Sequence, residues 1–101
     1  MNKIHVMKNA QPELQNKVDL SGSNNLFIRI FVKAYGWGGP VLGVALDEKQ
    51  DTDYIEEHDG YTFVVDQDLI DRFKGFEVDF TMNWFSKGFV VRTNYGTASS
   101  C

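Results

Sequence analysis

The alternation of apolar and polar residues predicts that much of this chain forms β-strands. It is strictest in residues 76–82, where Phe76, Val78, Phe80 and Met82 would face a core. Residues 26–33 and 61–65 are rich in the β-branched and aromatic side chains that pleated sheets favour. Shorter strands are predicted for residues 3–7, 41–46, 54–56 and 89–93. The pattern is therefore that of a mainly β protein.

Two short segments carry helical signals instead. Residues 67–73 have apolar positions at spacings of three and four, with Asp66 placed to cap the N-terminus and Gly75 to cap the C-terminus. A weaker signal after Asn9 predicts a brief helix at about residues 12–18. One or two short helices therefore accompany the strands.

Charged residues on the predicted strands are expected to lie at the surface. The stems of Arg29 and Lys33 would cover apolar surface beside their strand, while Glu77 and Asp79 would keep a sheet face soluble. His58 stands among acidic residues next to an Asp-Gly turn. A histidine with carboxylate neighbours has the composition of a metal site. Consecutive residues cannot all point at one ion, so a solvated acidic turn is the favoured interpretation there.

The ten residues 34–43 hold four glycines, one proline and two large aromatic side chains. A hairpin turn needs fewer glycines, so this density predicts a backbone that packs closely against another group. One hypothesis is a small-molecule pocket or partner-binding surface formed by Tyr35, Trp37, Gly38 and Gly39. The other is a tryptophan buried beneath a glycine-rich corner. The sequence leaves both open.

Length and charge exclude several classes of function. The 101 residues fit one domain, and 43% hydrophobic residues with 14% aromatics predict a folded globular chain. A net charge of -4 argues against nucleic acid and anionic membrane as partners. No apolar run is long enough for a membrane span or secretion signal, so a cytoplasmic protein is expected. No nucleophile elbow, phosphate loop or zinc spacing occurs, and no enzymatic activity is predicted.

Cys101 is the single cysteine and the last residue of the sequence. It can form no disulfide within one chain. The small residues of 94–101 predict a flexible tail, in which a thiol would be exposed. Cys101 is therefore a candidate metal ligand or transfer thiol, or else an unreactive terminal cysteine.

Several of these strings, in this order, resemble the HesB-like family of IscA-type (A-type) iron-sulfur cluster carriers. The resemblance covers about residues 26–101. It rests on the strand entering the glycine-rich stretch, on Asp47-Glu48, on residues 59–66 before a short helix, on residues 75–80, and on Gly88-Phe89 leading to the cysteine. It implies a β-rich α+β domain of short mixed strands in two packed, coiled sheets.

The resemblance also implies a cluster held by three cysteines, one in the glycine-rich turn and two in a C-terminal Cys-Gly-Cys. Trp37 stands at the turn position, and Cys101 matches the first of the terminal pair, after which this sequence ends. Because clusters are mostly held by four thiolates, no resident cofactor is expected. The first helix at residues 12–18 is also expected to be shorter than that of the family.

The resulting hypothesis is a non-enzymatic homologue that binds or regulates a protein partner, in or near iron-sulfur cluster assembly. An alternative retains carriage of iron or a cluster, with Cys101 joined by ligands from a second chain in a homodimer. Another alternative is a small-molecule binder at a pocket beside Tyr35 and Trp37.

Overall fold

The computed structural model describes residues 2–22, 26–83 and 86–93, with Asn83 and Ser86 described by their backbone alone. Two helices lie among the strands, α1 (Ala10–Ser21) and α2 (Gln67–Phe73). The strands are β1 (Ile4–Val6), β2 (Phe27–Gly36), β3 (Gly39–Asp47), β4 (Asp53–His58), β5 (Tyr61–Asp66), β6 (Phe76–Asn83) and β7 (Ser86–Thr93). The predicted mainly β class with two short helices is confirmed. The predicted flexible tail 94–101 lies outside the described residues.

The described strands form one hydrogen-bonded sheet in the order β1-β6-β7-β3-β2-β5-β4. The pairs β1–β6 and β2–β5 are parallel, and the other four pairs are antiparallel. The sheet is mixed and coiled as expected, but the described strands form one continuous sheet where two packed sheets were expected. Strands β2 and β3, with ten and nine residues, pair with each other. Because β2 also pairs with β5 and β3 also pairs with β7, the two halves of the sheet are joined.

The sheet wraps around one apolar core to which both helices contribute. Fully buried side chains include Ile4 of β1, Leu14 of α1, Ile28 of β2, Phe63 of β5 and Phe76 of β6. These residues are distant in sequence and belong to one contiguous cluster. Burial of such side chains is the main term that favours folding, with about 1.5–3 kcal/mol for each fully buried large apolar side chain.

Helix α1 corrects the expected short first helix. It has twelve residues and begins at Ala10, two positions before the predicted start. Ala10 and Leu14 are both fully buried against the sheet, whereas Asn9 makes no side-chain capping bond. Packing against the core therefore determines this helix more than its local signals do.

Two further predictions, a core-facing Met82 and a helix C-cap at Gly75, are wrong. Met82 is 68% exposed because β6 continues past the core toward the β6–β7 turn. The C-cap of α2 is Lys74 at φ 67°, not Gly75. The N-cap prediction is confirmed, since the Asp66 carboxylate accepts a 2.9 Å hydrogen bond from the Asp68 N–H.

Candidate functional site

The glycine-rich stretch forms the end of a hairpin. Strands β2 and β3 pair from Phe27–Asp47 to Gly36–Gly39, which leaves Trp37 and Gly38 as a two-residue turn. Among the described strands, β5 pairs with β2 up to Ile30, and β7 pairs with β3 at Leu42. We call residues 33–41 the hairpin arm, because the described pairings of this segment are those between β2 and β3.

Large apolar side chains of the hairpin arm face solvent. Trp37 is fully exposed, Tyr35 is 67% exposed and Val41 is 46% exposed. The interpretation of Trp37 as a tryptophan buried under a glycine corner is therefore wrong. The turn places this indole at the end of a two-stranded projection, where no core reaches it.

The glycines of the turn do not serve close packing. Side-chain positions built on Gly38 and Gly39 would have no atom within 4 Å, although Gly39 needs its left-handed φ of 110°. Close approach occurs at Gly43 instead, where a Cβ would lie 2.4 Å from Cδ of Lys33. The expectation that the Lys33 stem covers neighbouring surface is correct at this position.

The site predicted at Tyr35, Trp37, Gly38 and Gly39 is a surface and not an enclosed cavity. Two cavities lie elsewhere in the described structure, and neither Tyr35 nor Trp37 lines either of them. Whether these residues bind a partner stays a prediction. Cys101, the predicted metal ligand, lies outside the described residues.

A second candidate site surrounds Glu56, a carboxylate that is 5% exposed. Its oxygens accept hydrogen bonds from the backbone N–H groups of Lys3 at 2.7 Å and Ile4 at 3.2 Å. The hydroxyl of Tyr54 donates to Oε1, and Nε2 of His58 lies 2.6 Å from Oε2. Burial raises the pKa of Glu56, but these bonds outweigh it and leave the pKa below its ordinary value. The carboxylate is therefore ionised and fully hydrogen-bonded.

Tyr54 and His58 are oriented around this carboxylate. Burial, followed by the bond to Glu56, raises the pKa of Tyr54 to about 12, so its hydroxyl keeps the proton that it donates. The His58 ring stacks on Tyr61 at 5.7 Å and meets Phe63 edge-on at 5.1 Å between ring centroids. With 15% of its side chain exposed, His58 is not the solvated residue that we expected.

Strand periodicity could have revealed this cluster. Tyr54, Glu56 and His58 occupy every second position of β4, so they share one face of the strand. The same alternation indicated core faces elsewhere, but here all three positions are polar and titratable. The acidic surroundings of Glu57 and Asp59 concealed the pattern.

A second polar cluster forms around Arg29 and holds the segment between β3 and β4. Its guanidinium donates two hydrogen bonds to Asp53, at 2.8 and 2.7 Å, and one to Asp47 at 2.6 Å. It also donates to the carbonyl of Glu48 at 2.9 Å. The hydrogen bond from Arg29 is the largest influence on Asp53 and lowers the pKa of that carboxyl. The sequence predicts Arg29 at the surface with its stem over apolar neighbours, but only 14% of its side chain is exposed, because Asp47 and Asp53 enclose its guanidinium.

The remaining acidic pair is neutralised across the sheet. Arg92 on β7 lies 3.0 Å from Glu77 and 3.6 Å from Asp79, both on β6. Within residues 2–22, 26–83 and 86–93, no three His, Cys, Asp or Glu side chains are placed to hold a metal ion. Neither described helix has the length and apolar character needed to cross a membrane.

Comparison with known proteins places the chain in a family. No family model matches it. The iron-sulfur cluster insertion protein ErpA of Hahella chejuensis is 32% identical over 95 residues, which cover 92% of this chain and 81% of that protein. ErpA of Saccharophagus degradans is 31% identical over 100 residues, covering 97% of this chain and 86% of the relative.

Solved structures agree with these relatives on the fold. The crystal structure of IscA with the [2Fe-2S] cluster superposes with a TM-score of 0.68 at 20% identity, over 90% of this chain and 82% of IscA. SufA of Escherichia coli gives a TM-score of 0.64 at 22% identity, over 89% of this chain and 84% of SufA. The chain belongs to the IscA-type (HesB-like) family of A-type iron-sulfur cluster carriers, which includes the ErpA insertion proteins.

Proposed function

We propose that this protein works in cytoplasmic iron-sulfur cluster assembly by binding a partner protein through its hairpin arm. In this proposal it is neither an enzyme nor the holder of a stable cluster of its own. The relation to ErpA insertion proteins supports the pathway. The observation that carries the rest is the exposure of Trp37 at the position where the family resemblance expects a cysteine ligand.

The chemistry of the indole supports binding over cluster ligation. Tryptophan offers a large apolar surface and one N–H donor, and it has no atom suited to bind iron. Trp and Tyr are enriched among the residues that dominate protein interfaces. Tyr35, Trp37 and Val41 expose such surface together on a narrow two-stranded projection. A concave partner surface could enclose this projection from both faces.

An iron-sulfur cluster enters this proposal as cargo of the partner, not as a resident cofactor. The alternative is that Cys101 holds iron or a cluster together with ligands from a second chain. Anaerobic reconstitution with iron and sulfide separates the two, because a bound cluster absorbs visible light. We expect no stable chromophore. A chromophore that disappears in Cys101→Ser would favour the carrier alternative.

Site-specific crosslinking tests the arm directly. A photo-reactive amino acid is placed at position 37 in the native cell, and captured proteins are identified by mass spectrometry. Ile55 on β4 is 41% exposed and provides the control position, since it is apolar but lies outside the arm. We expect an iron-sulfur assembly or recipient protein to be captured from position 37 and not from position 55.

The captured partner then allows a quantitative test. Trp37→Ala should weaken binding of the purified partner by at least about tenfold, as expected for an aromatic anchor. Ile55→Ala should leave that affinity unchanged. Capture of a second copy of this chain alone, or equal binding by both variants, would contradict the proposal.

A further inference from the structure

Lys33 is the one charged residue in the sequence of the hairpin arm. No acidic residue lies between Phe31 and Gly43, although the whole chain has a net charge of -4. The negative excess therefore belongs to the rest of the chain, and the arm itself is positively charged. A partner protein that meets the arm encounters one cation beside large apolar side chains.

The stem of Lys33 rests on the sheet instead of extending freely into solvent. The register of β2 against β3 shifts between Val32 and Ala34, which places a bulge at Lys33. A Cβ on Gly43 would lie 2.4 Å from Cδ of Lys33 and 2.9 Å from Cγ, so the stem occupies the space above this glycine. The lack of a side chain on Gly43 therefore makes room for the stem.

The ammonium group of Lys33 is available to a partner. Lys33 is exposed as a residue, and its Nζ has no hydrogen bond, ion pair or ring contact with the part of the chain that the structure describes. The arginines of the strands differ, since Arg29 and Arg92 bind carboxylates within the chain. Among the described residues, the cation of the arm therefore has no counter-charge.

The restricted stem increases what this ammonium can contribute to binding. A freely moving lysine loses much rotamer freedom when a partner immobilises it. Contact with Gly43 already restricts Cγ and Cδ of Lys33, so less freedom remains to be lost. Val41 lies two positions from Gly43 on β3, and therefore on the same face, with 46% of its surface exposed. The arm thus presents a cation and apolar surface side by side.

We propose that Lys33 determines the specificity of the hairpin arm by pairing with a carboxylate on the partner protein. The partner surface then combines an apolar depression for Trp37 with an Asp or Glu side chain near the base of the arm. Charge complementarity of this kind selects partners and speeds their encounter more than it adds affinity. This inference rests on the proposed function of the arm and specifies the chemistry of its partner.

An NMR titration of the full-length, ¹⁵N-labelled chain tests the preference for a carboxylate without the natural partner. Two blocked pentapeptides with glycine ends serve as probes, one with a glutamate between two leucines and the other with a glutamine there. We expect saturable shifts of the Lys33 and Val41 amides, with about threefold tighter binding of the glutamate peptide at low salt. This preference should shrink at high salt, because salt screens the ion pair.

Matched variants assign the preference to Lys33. Lys33→Gln should remove it because the cation is lost, whereas Lys8→Gln removes an exposed lysine outside the arm and should keep it. Gly43→Ala should reduce the preference although every charge remains, since the new methyl group displaces the stem of Lys33. The spectrum without peptide shows whether Gly43→Ala is folded, and the two lysine variants decide the test without it.

This inference and the proposed function fail on different results. Equal binding of the two peptides, no saturation with either, or an unchanged preference in Lys33→Gln would overturn the role of Lys33. Crosslinking from position 37 requires no carboxylate, so it tests the arm separately. A protein captured from position 37 that binds the wild-type chain and Lys33→Gln equally well would support the arm as a binding surface and refute the role of Lys33.

Discussion

Oε1 of Glu56 accepts a 2.7 Å hydrogen bond from the backbone N–H of Lys3, 53 positions earlier in the chain. Glu56 lies on β4 and Lys3 immediately precedes β1, and these strands are the two edges of the sheet. The other oxygen of the carboxylate accepts the N–H of Ile4. A buried side chain therefore joins two edges that share no backbone pairing among the described strands. It satisfies N–H groups that an open sheet edge would leave unpaired.

Replacement of this carboxylate should destabilise the fold. Four hydrogen bonds converge on the carboxylate, two on each oxygen. In Glu56→Gln the negative charge is lost, and the NH₂ group that replaces one oxygen cannot accept the two hydrogen bonds made there. We expect the free energy of unfolding to fall by about 3 kcal/mol. Urea denaturation followed by circular dichroism measures this change. Glu57→Gln is the matched control, since Glu57 is exposed on the same strand and should change stability little.

The pH dependence of stability should identify the same carboxylate. The pKa of Glu56 is lowered from its ordinary 4.5 and that of Asp53 from 3.8, so the unfolded chain binds more protons than the folded protein. Their stabilising contributions are complete above these ordinary values and are lost as the pH falls through the lowered, folded-state values. We expect the stability difference between the wild-type protein and Glu56→Gln to shrink between pH 5 and pH 3, as measured by urea denaturation. A difference that stays constant over this range would contradict the assignment.

The sequence predicted the strands well because their signal is local. Strict alternation in residues 76–82 and the β-branched run in residues 26–33 required no knowledge of distant contacts. Helix α1 was underestimated because its start depends on burial of Ala10 against strands elsewhere in the chain. The single curled sheet likewise depends on pairings between distant segments, which periodicity does not encode.

For the candidate sites, too, local features could be predicted from the sequence, whereas features that depend on distant residues could not. The glycine-rich stretch was recognised, but its composition could not show whether Trp37 lies under a corner or at the end of an arm. The cluster around Glu56 was missed because two of its hydrogen bonds come from backbone N–H groups that are more than fifty positions away. Strand periodicity could place Tyr54, Glu56 and His58 on one face of β4, but the backbone N–H partners of the carboxylate become visible only when the sheet order is known.

Arg29 should contribute more to stability than Arg92, although both bind two carboxylates. Asp53 has a side chain that is 1% exposed, so Arg29→Met would leave a buried carboxylate without its main partner. We expect a loss of about 3 kcal/mol, which is typical of a broken buried ion pair. Arg92 and its partners are 20–42% exposed, and Arg92→Met should cost about 0.5 kcal/mol. Equal losses in urea denaturation would refute this ranking of the two arginines.

Two neighbouring glycines of the turn should respond differently to alanine. Gly39 has φ 110°, a conformation that L-residues rarely adopt, so Gly39→Ala should cost about 1–3 kcal/mol through backbone strain. Gly38 has no positive φ, and a Cβ there would meet no atom within 4 Å. Gly38→Ala should therefore change the free energy of unfolding by less than about 0.5 kcal/mol. Thermal and urea denaturation of the two variants provide the comparison, and equal destabilisation would show that strain at Gly39 is not the cause.

Trp37→Ala should leave stability unchanged while it removes binding. A tryptophan that packs in a core costs about 3–5 kcal/mol when it is truncated to alanine, because a cavity remains. Trp37 is fully exposed, so we expect a change within about 0.5 kcal/mol in urea denaturation. Phe63→Ala provides the contrast, since that ring is fully buried in the core and should show the full cavity cost. If Trp37→Ala were destabilised as strongly as Phe63→Ala, the indole would have a packing role. The proposal that Trp37 binds a partner protein would then lose its main support.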